Sequence, residues 1–328
     1  MSVFRLLAWL INLVVGLAML GGLVGGVLML AYYKPGPLVD SKTVVIERGS
    51  GLPGIAAQLN QAGVIDNPPA AFTLGVLLTG KRGLLKAGEY EFPAQISMAQ
   101  VAELMAKGQV VVHKVTVVDG TTVKDVLAQL AAEPALTGEI SQTPPEGTLL
   151  PETYFFNRGD TRDELLKRMQ AAGQEALEKA WASRAPDLPV TSKLQVLTLA
   201  SIIEKETGVP AERARVAGVF VNRLRQGMKL QSDPTAIYPL SNQTGDLGRA
   251  LTLKDLELAS PYNTYYAPGL PPGPIANPGL AALMAAVKPE SHDFLYFVAD
   301  GSGGHAFAST LEAHNRNVAK WRQLQRGQ

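Results

Sequence analysis

The stretch SKLQVLTLASIIEKE, residues 192–206, decides how the C-terminal part of this chain is read. Projected on a helix at about 100° per residue, Val196, Leu197, Leu199, Ala200, Ile202 and Ile203 cover a wide arc, so the helix must be largely enclosed. Thr198, Ser201 and Lys205 define a narrow polar side. Glu204 falls between Leu197 and Ala200, inside the apolar arc, whereas Glu206 falls beside Gln195 near the polar edge. A carboxylate on an apolar face pairs with a buried arginine, keeps its proton, or faces a cleft. Arg213, Arg215 and Arg223 of the following helix are candidate partners. Desolvation raises a carboxyl pKa, which suits a general acid near neutral pH. The pattern leaves the ion pair and the acid both open.

Working outward, a second helix carries Pro210 in its first turn and ends at Gly227. KLQSDPTAIY (229–238) is extended into an Asp-Pro turn, and residues 251–279 are mostly loop, with Asn277-Pro278 opening a short helix. Within that loop SPYNTYY concentrates aromatic faces, an amide and hydroxyls, which suit a sugar-like ligand and equally a packed loop. FLYFVADGSGGHAFAST (294–310) reads as a β-hairpin, followed by a polar helix from about Thr310.

At the other end, residues 6–33 carry no charged side chain, and Arg5 and Lys34 bracket the run. About 20 apolar residues cross a bilayer. This run exceeds the apolar core of a signal peptide and is apolar on every face, so a membrane anchor is expected. Positive charges on both sides leave the orientation open. Gly21, Gly22, Gly25 and Gly26 form two overlapping GxxxG spacings that could pack one span on another. After KPGPLVDSK comes a strand–turn–helix pattern that returns with an offset of 71 residues, Gly49 facing Gly120 and Leu59 facing Leu130. A fainter echo has Ser97 as helix N-cap. Residues 43–92 read as strand, helix, helix, strand, an order that resembles a LysM module and fits a small α+β subdomain equally.

Composition narrows the chemistry. The 328 residues carry a formal charge of +1 with no basic block, which gives no case for nucleic acid as a partner. Without cysteine there is no disulfide, thiol chemistry or lipid-modified cysteine. The four histidines lack zincin spacing, and no G-x-S-x-G or P-loop is present.

Three motifs in order, LASIIEKETGVPAERARVAGVFVNRLRQGMKLQSDPTAIY (199–238), SPYNTYYAPGLPPGPIANPG (260–279) and YFVADGSGGHAFASTLEAHN (296–315), resemble the endolytic murein transglycosylase family, MltG/YceG-like, over nearly the whole chain. One departure is Pro151-Glu152-Thr153-Tyr154, where the family has Pro-Asp-Thr-Tyr. The resemblance implies an α+β fold in five parts: a cytoplasmic head at 1–5, a transmembrane helix at 6–33, a linker at 34–42, a LysM-like βααβ subdomain at 43–113 and a larger α+β catalytic domain at 114–328. It implies an inner-membrane protein with a periplasmic or extracytoplasmic body. Its action would be cleavage of the MurNAc–GlcNAc bond within nascent peptidoglycan, ending strand elongation with 1,6-anhydro-MurNAc. Peptidoglycan synthases would be candidate partners, and no metal or organic cofactor is needed. The family's catalytic glutamate maps to Glu204, with Asn222, Gln231, Asp233, Tyr262, Asn263 and Tyr265 around the cleft and Glu206 in a supporting role. Asp233, before Pro234, reads equally as a helix N-cap. Two rivals are a muramidase-type hydrolase, in which Glu204 works with Asp233 or Glu206 and water, and a non-catalytic wall-binding scaffold.

Overall fold

A computed structural model describes residues 3–326, so the expected cytoplasmic head lies partly outside the described residues. The chain forms two compact units, one running to His113 with Phe156–Gly159 added, the other comprising Lys114–Phe155 and Asp160 onward.

The first unit begins with helix α1 (Val3–Tyr33). Its stretch Leu7–Tyr33 has a mean hydropathy of 2.4 and is long and apolar enough to cross a membrane. Leu10, Leu17, Leu20 and Leu30 stay exposed, so most of α1 has no partner among the described residues. Its end is different: Tyr32 is fully buried, with Leu28, Met29 and Ala31 packed beside it. Strand β1 (Lys42–Ile46), helices α2 (Leu52–Gln61) and α3 (Ala70–Leu78), and strand β2 (Gly88–Phe92) follow, and β1 pairs antiparallel with β2 from Lys42↔Phe92 to Ile46↔Gly88. Helix α4 (Met98–Lys107) starts at a capping box: Ser97 Oγ accepts from Gln100 N at 3.3 Å and Gln100 Oε1 from Ser97 N at 2.9 Å. Ile46, Leu59, Phe72, Tyr90, Phe92 and Met105 form the core with Tyr32.

Residues 34–42, expected as a linker, are tied to this unit. Lys34 Nζ lies 2.6 Å from Asp66, Gly36 N donates to Gln95 O at 3.1 Å, Gln95 N donates to Leu38 O at 2.9 Å, and Leu38 is buried.

Strand β3 (Val112–Thr116) pairs with β4 (Thr153–Asn157). Between them lies α5 (Val123–Ala132), capped by Thr122. Thus β1–α2, β2–α4 and β3–α5 are three strand–turn–helix units, the period seen in the sequence. The long helix α6 (Arg162–Ala182) has a capping box of Thr161 and Glu164. Helix α7 (Lys193–Glu206), capped by Ser192, is the axis of the unit. It is surrounded by α6, α8 (Arg213–Arg225), α9 (Asp233–Leu240) and α11 (Leu280–Val287), with the short α10 (Leu253–Leu256) beside α9. Strands β5 (Tyr296–Ala299) and β6 (His305–Ala308) form an antiparallel hairpin against which α12 (Leu311–Arg326) packs.

The expected polar side of α7 is itself buried. Thr198 and Ser201 are at most 1% exposed. Their hydroxyls are satisfied locally: Thr198 Oγ1 donates to Leu194 O, and Ser201 Oγ donates to Thr198 O while accepting from Ile275 N at 3.0 Å. A serine that serves a neighbouring loop costs little to bury, so the wheel's polar stripe is here a loop anchor.

The seat of Tyr32 yields a test. A Cβ on Gly75 would stand 2.2 Å from the Tyr32 ring. Overpacking of this kind costs about 1–3 kcal/mol, so Gly75→Ala should lower the thermal midpoint of the full chain in detergent. Adding Tyr32→Ala should make the loss markedly sub-additive; additive losses would refute the contact.

Candidate active site

The last turn of α7 carries two carboxylates about 200° apart, and the second unit receives them differently. Glu206 points to the loop 229–233. Ser232 Oγ donates to its Oε1 at 2.5 Å. The loop is held against residues 263–265: Gln231 N donates to Thr264 O at 3.3 Å, Ser232 N to Thr264 Oγ1 at 3.0 Å, and Thr235 Oγ1 shares a 2.8 Å hydrogen bond with Thr264 Oγ1. Gln231 adopts φ of 50°, a left-handed backbone that few non-glycine residues take. That turn places Ser232 at the N-cap position of α9, its hydroxyl turned to Glu206, and Asp233 at the first helical position, so the N-cap is one residue earlier than Asp233.

Glu206, Gln231, Asp233 and Tyr265 line a cavity of about 420 Å³, together with Arg223, Tyr296, His314 and Asn315. Tyr265 donates its hydroxyl proton to Asp233 Oδ1 at 2.6 Å. Arg223 holds the wall by donating from Nε to Leu295 O at 2.6 Å and from Nη1 to Leu230 O at 2.8 Å. Glu206 keeps partial exposure, yet desolvation pushes its carboxyl up to about 7, with Asp233 raising it further and Ser232 and Arg223 opposing. A group at the wall of a polar cavity that still holds its proton near neutrality is competent as a general acid. The helical projection, by contrast, put Glu206 near a polar edge.

Glu204 meets a closed environment. Its side chain is 3% exposed. Arg213 Nη2 donates to Oε1 at 3.2 Å and Gly279 N to Oε2 at 3.0 Å. Burial raises its pKa as the leading effect, the Gly279 N–H lowers it, Asp119 raises it, and Arg213 lowers it. Both oxygens are engaged, and Glu204 does not line the Glu206 cavity.

The remaining candidates divide. Gln231, Asp233 and Tyr265 gather around Glu206. Asn222 instead donates from Nδ2 to His292 O at 2.8 Å and Phe294 O at 3.1 Å, tying α8 to the segment before β5. Asn263 is fully buried and donates to Leu256 O and Leu258 O, both at 2.9 Å. Tyr262 packs on Tyr238 with centroids 5.2 Å apart. Those three side chains shape the loops and do not line the cavity. Arg223 enters the sequence reading only as a candidate ion-pair partner, and Ser232, Tyr296, His314 and Asn315 are not singled out there, although His314 and Asn315 close the third motif. Among the described residues no three His, Asp or Glu side chains converge as a metal site.

Against this geometry stand the similarities to known proteins. A family model described as the YceG-like family matches residues 44–320. The endolytic murein transglycosylase of Bacillus subtilis (strain 168) is 33% identical over 317 residues, covering 86% of each chain. A protein of the same name from Streptococcus pneumoniae serotype 2 is 37% identical over 182 residues, 53% of this chain and 32% of that one. A YceG-like protein from Listeria monocytogenes, known from a 2.6 Å crystal structure, is 33% identical with a TM-score of 0.49, over 84% of this chain and 99% of that one. This chain belongs to the YceG-like family.

Proposed function

We propose that this protein is a membrane-anchored lytic transglycosylase that cuts within peptidoglycan strands, with Glu206 as its proton donor. The observation that carries the assignment of the acid is the meeting of a desolvated carboxyl with a polar cavity. The relatives' activity supplies the substrate class. In the resemblance the acid is Glu204; its closed pocket and doubly engaged oxygens favour a structural tie between α7, α8 and the start of α11 instead.

The steps follow from one carboxyl. With Ser232 donating to Oε1, the acidic proton sits on Oε2. It passes to the glycosidic oxygen as the bond from MurNAc C1 breaks, and GlcNAc leaves with its hydroxyl restored. Positive charge develops at the MurNAc ring. The Glu206 carboxylate then takes the proton of the MurNAc 6-hydroxyl, whose oxygen bonds to C1 and closes a 1,6-anhydro ring. No water is consumed, and the acid is regenerated. The internal nucleophile gains from high effective concentration. Asp233, whose charge favours the protonated form of Glu206, also gives the hydrolytic reading its specific support, as a second carboxylate able to orient water.

In the same reading α1 spans the inner membrane, the rest of the chain is extracytoplasmic, and cleavage near the membrane ends strand elongation beside the synthases. The strand–helix–helix–strand part of the first unit acts as a LysM-like glycan contact.

Identification of product ends tests the chemistry. Wild type should release anhydro ends from sacculi, and reducing ends would install the muramidase reading. Glu206→Gln should lower the rate by about 10²–10⁴-fold, whereas Glu204→Gln should lose less than tenfold if it folds. Loss confined to Glu204→Gln would return the acid to Glu204, and undiminished cleavage in both would leave neither as the acid.

A pH prediction follows from the raised pKa of Glu206. The rate should fall as pH rises through about 7, where the acid loses its proton. For stability the sign is the same. Between 4.5 and about 7 the folded state holds a proton that the unfolded chain has released, so stability declines as pH rises across that window, by on the order of 3 kcal/mol. Glu146 and Glu204, also raised, add slopes of the same sign. Urea midpoints of Glu206→Gln should therefore show a shallower decline than wild type, and an unchanged slope would contradict the desolvated carboxyl.

A further inference from the structure

The third sequence motif ends in Leu311-Glu312-Ala313-His314-Asn315, and no step of the reaction uses it. The fold brings its last two residues to the cavity of Glu206, on the first turns of α12 and beside β5. Three observations converge on them. The His314 ring stacks on Tyr296 with centroids 5.2 Å apart and planes 24° apart, and Arg223 lies over Tyr296 at 5.1 Å, so the imidazole plane is fixed. His314 Nδ1 is buried and has no hydrogen-bond partner among the described residues. Asn315 is exposed at the cavity wall.

An orphaned buried N–H is rarer than an orphaned buried acceptor. Nδ1 is accordingly assigned as the bare nitrogen of a neutral ring, with the proton on Nε2. Burial and Arg223 both hold His314 below its ordinary pKa, in keeping with a neutral ring. The wall thus offers one fixed N–H donor from His314. Beside it, Asn315 offers a carboxamide with a carbonyl acceptor and N–H donors. Tyr296, Phe297 and Leu311 supply apolar surface next to them.

A secondary amide with a small methyl group is the complement of this set. Its carbonyl takes the imidazole N–H, its N–H gives to the Asn315 carbonyl, and its methyl rests on the aromatic wall. We propose that His314 and Asn315 form a subsite that recognises the acetamido group of an amino sugar bound in the Glu206 cavity. The proposal rests on reading that cavity as the glycan site, and makes the C-terminal helix part of substrate selection.

Binding separates this from the chemistry. The full chain carrying Glu206→Gln, in detergent micelles, is titrated calorimetrically with N-acetylchitotetraose and with cellotetraose, an uncharged tetramer of the same linkage that has no acetamido groups. The N-acetylated sugar should bind at least tenfold more tightly. One lost hydrogen bond changes affinity by roughly fivefold to tenfold. Asn315→Leu and His314→Phe, the second keeping the ring stack, should each shrink that preference by such a factor and leave cellotetraose binding unchanged. Asn315 is exposed, so its substitution does not threaten the fold. Absence of any preference, or a preference untouched in both variants, overturns the subsite. If wild type releases neither anhydro nor reducing ends from sacculi while the preference and its loss are observed, the reaction assignment fails and the subsite stands.

Discussion

Enclosure of α7 is the constraint on which the second unit depends. From Val196 to Ile203 every residue of this helix is buried, whichever face it lies on. A helix packed on all sides has no surface on which to carry charge, so its charged residues stand at its ends, Lys193 at the start and Glu204, Lys205 and Glu206 in the last turn. Position in that turn then sorts them. One carboxyl meets the N–H of Gly279 and a guanidinium; the other meets a serine hydroxyl and an open cavity. Two residues of identical chemistry, two positions apart, are given different surroundings by the elements around them, and only Glu206 lines the cavity.

The apolar arc of residues 192–206, its Ser192 cap, the hairpin near 294–310 and the repeated strand–turn–helix units were legible in the sequence because each is set by local spacing and capping. Glu206 was not legible in the same way. A helical wheel reports only what a helix contributes to its own surroundings, and the groups that act on Glu206, namely Ser232, Asp233 and Arg223, stand on other elements. The left-handed Gln231 that precedes Ser232 and Asp233 has no sequence signature comparable to a glycine. Asn222 and Asn263 show the converse. Their amides look available in the sequence, but both donate to backbone carbonyls of neighbouring segments.

Polar groups in this unit therefore fall into two kinds. Arg223, Asn222, Asn263 and Ser201 bind backbone atoms of neighbouring segments and set the positions of loops that have little regular structure. Glu206, His314 and Asn315 are left with capacity for something outside the protein. The first kind makes the second possible: in a long Pro- and Gly-rich region, rigidity comes from side chains that replace the missing ladders of strand and helix.

The burial of Tyr32 has a mechanical consequence. A chain hung from a bilayer by a loose tether samples a wide shell of heights and tilts. Here the top of α1 is seated in the core of the first unit, and the next residues are pinned by the Lys34–Asp66 pair and the Gly36 and Leu38 hydrogen bonds. With α1 in a membrane, that unit has no slack and rides just above the lipid headgroups, its orientation dictated by the tilt of the span. Any polymer strand it touches would be met at one fixed stand-off from the surface where it is made, so the anchor would work as a ruler as well as a leash.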